Sequence, residues 1–261
     1  MLLPKARQAA RATAALGWTA AMLARVEARM PRACDERARE ARFDEDMRRW
    51  SKGLLRIGGI DPCLADPPPP PATRARLVVA NHRSTFDIPI LLSLFGGSCL
   101  SRADVADWPV LGYAARRAQT IFVDRDSRQS GVKAIRAIRE QLQRGRTVSI
   151  FPEGTTAAGD ALLPFNAGAF AAARGLDVEV VPVGLAYPPG TEYTEDSFLE
   201  HIANIGGRRR VSIALAIGRP HPIEARHDRL ARQLQDEVQG LVARARARLA
   251  DDRGAGAGAR T

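Results

Sequence analysis

Cysteines are few in this sequence, and long apolar runs are missing. Among 261 residues the cysteines are Cys34, Cys63 and Cys99, an odd number at wide spacings that match no metal-binding or redox motif. We therefore expect a reducing compartment and a core that needs no disulfides. The longest stretch without a charged residue, from Ile88 to Ser101, is shorter than the ~20 residues of a membrane-spanning helix, and no signal-peptide pattern is present. The sequence thus predicts no transmembrane span.

Lysines and aromatic residues are also few, although the net charge is +10. Of 39 basic residues only Lys5, Lys52 and Lys133 are lysines, and the arginines bias the surface towards nucleic acid or anionic lipid. No aromatic residues interleave with the basic clusters as in single-strand binders, and no helix-turn-helix or zinc spacing occurs. A non-catalytic basic protein that binds membranes or nucleic acid, motivated by the cluster at residues 208–210, is the alternative from another functional class.

The most informative stretch joins an apolar run, residues 77–80, to a polar segment that contains His82 and Asp87. The run predicts a buried strand. Two residues five apart do not share one face of a helix, so the pair can meet only if His82 lies in the loop after the strand and Asp87 begins the next helix. A carboxylate in that position fixes the tautomer and basicity of the imidazole. In the alternative, Asp87 before Ile88-Pro89 is a helix N-cap and His82 is an ordinary loop histidine.

A second apolar run, residues 148–151, also ends in a polar turn, Pro152-Glu153-Gly154-Thr155. The carboxyl ends of neighbouring parallel strands lie at one edge of a sheet, where α/β proteins bind their ligands. The two turns together therefore predict a site at that edge. Their combination also favours a functional His82–Asp87 pair over a chance pairing.

The N-terminal part of the sequence has helical periodicity over residues 5–30 and 35–58. On the first helix an apolar side adjoins a basic side, which carries Arg7, Arg11, Trp18, Arg25 and Arg29. This pattern is typical of a helix that lies in a membrane interface. The alternative is a helix that packs on the rest of the protein with its arginines in solvent.

Beyond a stiff run of prolines at residues 67–71, strand and helix patterns alternate. This alternation predicts an α/β fold with a mixed, largely parallel central sheet flanked by helices. The predicted division of the chain is N-terminal amphipathic helices at residues 1–60, a Pro-rich linker at 61–74, the α/β domain at 75–250 and a disordered tail at 251–261.

Four blocks of this sequence resemble the glycerolipid acyltransferase family, which includes the 1-acylglycerol-3-phosphate acyltransferases and is marked by an HxxxxD motif. The first is Asn81-His82-Arg-Ser84-Thr-Phe-Asp87, and the third is Phe151-Pro152-Glu153-Gly154-Thr155. The second, residues 112–125, ends in Ile-Phe-Val-Asp-Arg, and the fourth, residues 180–185, reads Val-Val-Pro-Val-Gly-Leu. The resemblance covers about residues 72–222, with the blocks in the family's order.

The resemblance implies that His82 is the catalytic base and that Asp87 supports it. His82 would take the proton of a lysolipid hydroxyl as that oxygen attacks an acyl thioester, and Asp87 would stabilise the imidazolium. The proton can then pass to the departing thiolate, so we expect no acyl-enzyme, metal or cofactor, and acyl-CoA or acyl carrier protein as the donor substrate. Ser84, grouped with the substrate-binding residues, is expected to shape the turn rather than to act as a nucleophile.

By the same resemblance the acceptor binds to Arg125, Glu153, Gly154 and Thr155. A guanidinium suits a phosphate, a carboxylate can hold a glycerol hydroxyl or orient Arg125, and a glycine lets the backbone approach the ligand. The alternative for Arg125 is a surface arginine paired with Asp124 or Asp126. Arg102 stands where many relatives have lysine, which makes it a further candidate.

Two expected cations of the acceptor site are missing. Relatives often have Arg-Ser after the Glu-Gly-Thr sequence and a lysine or arginine after Pro-Phe, whereas this chain has Thr156-Ala157 and Asn166. The expected reaction is acylation of 1-acylglycerol-3-phosphate to phosphatidic acid. Lyso-ornithine lipid is the alternative acceptor, because Thr156 resembles the subgroup that acylates it. We expect the protein on the cytoplasmic side of a membrane, bound to the lipid surface without spanning it, with no nucleic-acid partner.

Overall fold

The structure, a computed structural model, describes residues 4–29, 35–107, 111–117, 120–124, 127–194, 197–223 and 227–258. Two N-terminal helices precede a mixed sheet that has helices on both faces. The predicted fold class, an α/β fold with a largely parallel sheet and an N-terminal helical segment, is therefore confirmed.

Eight strands form one sheet within the described residues. They are β1 (Ile60–Leu64), β2 (Ala75–Ala80), β3 (Ser98–Arg102), β4 (Ile121–Val123), β5 (Thr147–Ile150), β6 (Val178–Ala186), β7 (Val211–Ile217) and β8 (His221–Pro222). Their order is β1-β7-β6-β2-β5-β3-β4, and β8 pairs with β6. β7 and β8 run antiparallel to β6, and the other pairs are parallel.

Helices cover the two faces of this sheet. They are α1 (Pro4–Arg29), α2 (Glu36–Gly58), α3 (Asp87–Phe95), α4 (Leu111–Arg117), α5 (Arg128–Gln143), α6 (Phe198–Gly207) and α7 (His227–Gly258), with short 3-10 helices at Ala103–Asp107 and Ala167–Ala173. Residues of α5 and α7 pack on one face, and residues of α2, α3 and α6 pack on the other. In the described part of the chain, none of these helices combines the length and apolarity that crossing a bilayer requires.

The middle strand β2 pairs in parallel with β5 on one side and β6 on the other. All six of its residues are buried, because helices cover both of its faces. A strand in this position reads as a continuous apolar run, which is the pattern of residues 77–80. Since β2 and β5 are parallel neighbours, their carboxyl ends lie at the same edge of the sheet.

The basic side of α1 faces the protein. Arg11 donates to carbonyl oxygens at the end of α6 and just beyond it, where the helix dipole favours a cation. Arg25 pairs with Asp46 of α2 at 2.9 Å, and the Trp18 ring N–H donates to the Trp50 carbonyl. α1 therefore packs on the rest of the protein, with its arginines bonded there rather than left in solvent.

The outward side of α1 has a different character. Every exposed residue of α1 between Lys5 and Glu27 is uncharged: Ala6, Ala9, Ala10, Ala12, Thr13, Ala14, Leu16, Gly17, Ala20, Ala21 and Ala24. We call this set the outer face of α1. A helical wheel predicts that the basic and apolar sides differ, but the contacts with α2 and α6 decide which side faces the protein.

Two segments differ from the predicted division of the chain. The predicted linker, residues 61–74, begins with β1, which pairs with β7 and so belongs to the sheet. Pro62 is tolerated there because β1 is an edge strand. The predicted disordered tail, residues 251–261, is helical as far as Gly258, where it continues α7 without meeting a proline, although Gly254, Gly256 and Gly258 disfavour a helix.

Candidate active site

His82 and Asp87 meet at the carboxyl end of β2. His82 lies in the loop after β2, and Asp87 is the first residue of α3, whose N-cap is Phe86. His82 Nδ1 and Asp87 Oδ2 are 2.8 Å apart, and both side chains are buried. The predicted placement of the pair is thus confirmed. Because Nδ1 bonds to the carboxylate, Nε2 is the nitrogen that can act as a base.

The Asp87 carboxylate is held by other donors as well. The backbone N–H groups of Arg83 and Ser84 donate to Oδ2 at 2.7 and 2.8 Å. The hydroxyl of Tyr187, the residue after β6, donates to Oδ1 at 2.6 Å. Asp87 also lies in the first turn of α3, where the helix dipole favours negative charge. These contacts fix the plane of the carboxylate and, through it, the orientation of the imidazole.

The strand β5 contributes directly to the surroundings of His82. The ring of Phe151, the residue after β5, stacks on the imidazole with centroids 4.2 Å apart and an interplanar angle of 14°. The His82 N–H donates to Glu153 Oε1 at 2.7 Å, and the Ala157 N–H donates to the His82 carbonyl at 3.1 Å. The two polar turns predicted to share one sheet edge are therefore in contact.

Glu153 is bonded within the protein. Its buried carboxylate accepts from the Arg83 guanidinium at 3.0 and 3.1 Å and from two backbone N–H groups, one of them that of His82. The guanidinium also donates to the carbonyl oxygens of His82, Gly159 and Ala161. The pair thus joins the loop after β5 to the His82 loop. Acceptor binding by Glu153 stays a prediction, and it would require that one of these donors be displaced.

The structure describes three of the four other predicted acceptor-binding residues. Gly154 and Thr155 are exposed in the turn after β5, and Gly154 has φ +74°, a left-handed conformation that glycine adopts readily. Arg102 is the last residue of β3, which runs parallel to β5, so its backbone lies at the same sheet edge. Arg125 lies outside the described residues.

The positions that lack the expected cations have structural roles here. The Asn166 side chain accepts from the Gly168 N–H at 2.9 Å and caps the 3-10 helix that follows. Ala157, next to Thr156, contributes its backbone N–H to the His82 carbonyl. Neither role needs a cation, so the loop can hold His82 without one.

Ser84 is a buried turn residue with a histidine beside it. Its hydroxyl oxygen accepts from the Phe86 N–H at 3.2 Å and lies 2.7 Å from His201 Nε2. His201 belongs to α6, is fully buried and stacks on Tyr193 with centroids 4.9 Å apart. The geometry agrees with a turn role for Ser84. No sequence pattern singles out His201, because nothing local to α6 indicates a partner more than a hundred residues away.

Burial raises the pKa of two groups near the site. For Tyr187, burial and the neighbouring Asp87 charge raise the pKa well above its ordinary value of 10, so its hydroxyl remains a donor at physiological pH. Burial also raises the pKa of the Cys99 thiol in β3 to about 12. Cys99 is therefore a thiol at neutral pH and a poor nucleophile.

The sequence and the fold are similar to known acyltransferases. Residues 68–186 match the family described as Acyltransferase. The chain is 38% identical over 172 residues to a lyso-ornithine lipid O-acyltransferase of Pseudomonas aeruginosa, covering 62% of this chain and 66% of the relative. It is 30% identical over 188 residues to a protein of the same name from Brucella abortus, and this match covers 64% of this chain and 70% of the relative.

A relative with a different name, a glycerophosphate acyltransferase, matches a shorter region of this chain. The 1-acyl-sn-glycerol-3-phosphate acyltransferase of Neisseria gonorrhoeae is 39% identical over 120 residues, covering 46% of this chain and 47% of the relative. The chain thus spans about half to two thirds of the curated relatives it matches first. The crystal structure of the 1-acyl-sn-glycerophosphate acyltransferase PlsC from Thermotoga maritima has the same fold, with a TM-score of 0.67, 22% identity, and coverage of 91% of this chain and 92% of that one.

Proposed function

The chain belongs to the acyltransferase family, and we propose that it transfers a fatty acyl group from acyl-CoA or acyl carrier protein to the free hydroxyl of a lysophospholipid. The observation that carries this proposal is the 2.8 Å contact between His82 Nδ1 and Asp87 Oδ2, at the sheet edge that also holds the Glu153 turn. The names of the relatives support the same chemistry. The first candidate acceptor is 1-acylglycerol-3-phosphate, which would yield phosphatidic acid.

The proposed mechanism uses His82 as a base and then as an acid. Nε2 removes the proton of the lysolipid hydroxyl while its oxygen attacks the thioester carbonyl carbon. Asp87, bonded to Nδ1, stabilises the imidazolium that forms. When the tetrahedral intermediate collapses, the carbon–sulfur bond breaks and Nε2 returns the proton to the thiolate. The products are an ester and a free thiol, and His82 ends in its starting state.

A second candidate acceptor, lyso-ornithine lipid, has its own support. The relatives of that name from Pseudomonas aeruginosa and Brucella abortus match over 66% and 70% of their length, whereas the Neisseria gonorrhoeae 1-acyl-sn-glycerol-3-phosphate acyltransferase matches over 47%. Thr156-Ala157 and Asn166 also replace residues that would bring positive charge to a phosphate. A zwitterionic amino-acid headgroup has less need of those cations.

A panel of acceptors tests the proposed function. The purified full chain would be given labelled acyl-CoA or acyl carrier protein together with vesicles that contain one lysolipid each. We expect transfer to 1-acylglycerol-3-phosphate, and transfer to lyso-ornithine lipid instead would assign the second candidate. If no lysolipid is acylated with either donor, the proposed function is wrong.

We further propose that the outer face of α1 contacts the lipid surface, on the cytoplasmic side where acyl-CoA and acyl carrier protein occur. The arginines of α1 are bonded to α2 and α6, whereas its exposed residues between Lys5 and Glu27 are uncharged. Contact through uncharged residues relies on burial of apolar surface. Binding of this kind depends less on salt than binding through exposed arginines does.

The double variant Leu16→Glu, Ala20→Glu tests this contact. We expect its partition onto vesicles to fall about tenfold, because burying a leucine side chain is worth ~1.5–3 kcal/mol and a tenfold change corresponds to about 1.4 kcal/mol. Sedimentation with vesicles at low and high salt measures the partition. Gln233→Glu, which adds a carboxylate on the exposed side of α7, is the control. Equal binding of the double variant and the control would contradict the proposed contact.

A further inference from the structure

A buried hydrogen-bonded chain runs from Asp87 away from His82. Asp87 Oδ1 accepts from the Tyr187 hydroxyl at 2.6 Å. Ser84 donates its backbone N–H to the other oxygen of the same carboxylate, Asp87 Oδ2. The Ser84 hydroxyl oxygen lies 2.7 Å from His201 Nε2. The three side chains lie behind the carboxylate and come from the β2–α3 loop, the end of β6 and α6.

In this hydrogen-bonded chain, the direction of the bond between Tyr187 and Asp87 is fixed by the chemistry of its two groups. Tyr187 uses its proton on the Asp87 carboxylate, which can only accept. Ser84 Oγ and His201 Nε2 share a hydrogen bond at 2.7 Å, and the tautomer of His201 determines which of the two donates.

We propose that Tyr187 is a positioning residue for the His82–Asp87 pair, and that His201 supports the same carboxylate by holding Ser84, whose N–H donates to Oδ2. Asp87 offers Oδ2 to His82 and to two backbone N–H groups. A carboxylate held only at Oδ2 can rotate about its Cβ–Cγ bond, and the hydroxyl at Oδ1 opposes that rotation. The chain therefore fixes which oxygen faces the imidazole and at what angle.

The chemical character of these residues fits a positioning role better than simple packing. Tyr187, Ser84 and His201 are each at most 1% exposed. Burying a polar group is unfavourable unless it is hydrogen-bonded. Phe in place of Tyr187, Ala in place of Ser84 and Leu in place of His201 would fill similar space without needing hydrogen-bond partners. Tyr187 and Ser84 each bond to Asp87, and His201 bonds to Ser84.

Tyr187→Phe tests the first link, and this kinetic test rests on the proposed acyl transfer. Loss of one hydrogen bond to a charged group corresponds to about a 10- to 100-fold effect, so we expect kcat to fall in that range. The KM for the lysolipid should remain within about twofold, because the hydroxyl lies behind Asp87. Tyr113→Phe, which alters an exposed tyrosine of α4, should leave both constants unchanged. A kcat for Tyr187→Phe within twofold of the wild-type value would overturn the proposal, whatever happens to its melting temperature.

Two substitutions of His201 separate positioning from packing. The side-chain amide of Gln can lie near the place of Nε2 and either donate to Ser84 or accept from it, whereas Leu has similar bulk and no polar atom. We expect His201→Gln to keep most of kcat and His201→Leu to lose about tenfold. If His201→Leu is as active as His201→Gln, packing alone accounts for the residue and the second link is wrong.

A spectroscopic measurement decides the inference without acyl transfer. In protein labelled with ¹⁵N-histidine, the His82 Nδ1–H gives a downfield proton resonance because it is bonded to a carboxylate, and its loss in His82→Ala assigns it. We expect Tyr187→Phe and His201→Leu to shift this resonance and His201→Gln to restore it. An unchanged resonance in Tyr187→Phe would refute the positioning role. A wild-type protein that acylates no lysolipid would refute the proposed function while leaving this test intact.

Discussion

Replacing His82 by alanine is expected to lower kcat by about 10²- to 10⁴-fold, which is the contribution of a well-positioned general base. Among the described residues, no other histidine at this sheet edge is bonded to a carboxylate, whereas His82 Nδ1 lies 2.8 Å from Asp87 Oδ2. The KM for the lysolipid should change little, because the base acts mainly in the transition state. Steady-state kinetics with the acceptor identified by the panel measures both constants.

The control for this prediction is His221→Ala. His221 lies in β8, where its ring contacts Glu237 at 3.3 Å, and it makes no contact with the His82–Asp87 pair in the described structure. We expect wild-type kcat from it. Thermal unfolding and vesicle binding of His82→Ala should show a folded protein that still reaches the lipid. If that variant retains more than half of the wild-type kcat, His82 is not the base.

The central part of the fold follows from local sequence patterns. Residues 77–80 of β2 form a continuous apolar run because both faces of the strand are covered, and a polar segment after such a run must lie at a sheet edge. The spacing of His82 and Asp87 then permits contact across one strand–helix junction, as the structure has it. The mainly apolar stretches at residues 178–186 and 211–217 likewise form strands, β6 and β7.

Other features depend on contacts that sequence patterns do not encode. β1 contains Asp61 and Pro62 and has no strand pattern, and it forms because β7, about 150 residues later, offers it a parallel partner. Tyr187 directly follows β6, but nothing local in the sequence indicates its bond to Asp87, 100 positions away. The β3 strand is short and rich in serine, so its propensity is weak until β4 and β5 pair with it.

Glu153→Gln is expected to reduce the free energy of unfolding by about 3–5 kcal/mol, the usual effect of removing one partner of a buried ion pair. Arg83 is 1% exposed and stays charged at any relevant pH. The substitution would leave that charge buried opposite a neutral amide, whose NH₂ group also cannot accept from a backbone N–H. At roughly 2–4 °C per kcal/mol for a chain of this size, the melting temperature should fall by about 10 °C. Thermal and urea unfolding measure the change.

The control for stability is Asp177→Asn, which removes a partner of the exposed Arg74–Asp177 pair. Asp177 is 81% exposed, so this loss should be below about 1 kcal/mol. The comparison also separates two roles for Glu153. If its carboxylate binds the acceptor, Glu153→Gln should raise KM while stability stays at the level of the control. If the Glu153 carboxylate instead joins the loop after β5 to the His82 loop, Glu153→Gln should lower the melting temperature. It should also lower kcat, because the His82 N–H loses its charged acceptor. The side chain is fully buried and meets a guanidinium and two backbone N–H groups, so the second outcome is the one that the contacts favour.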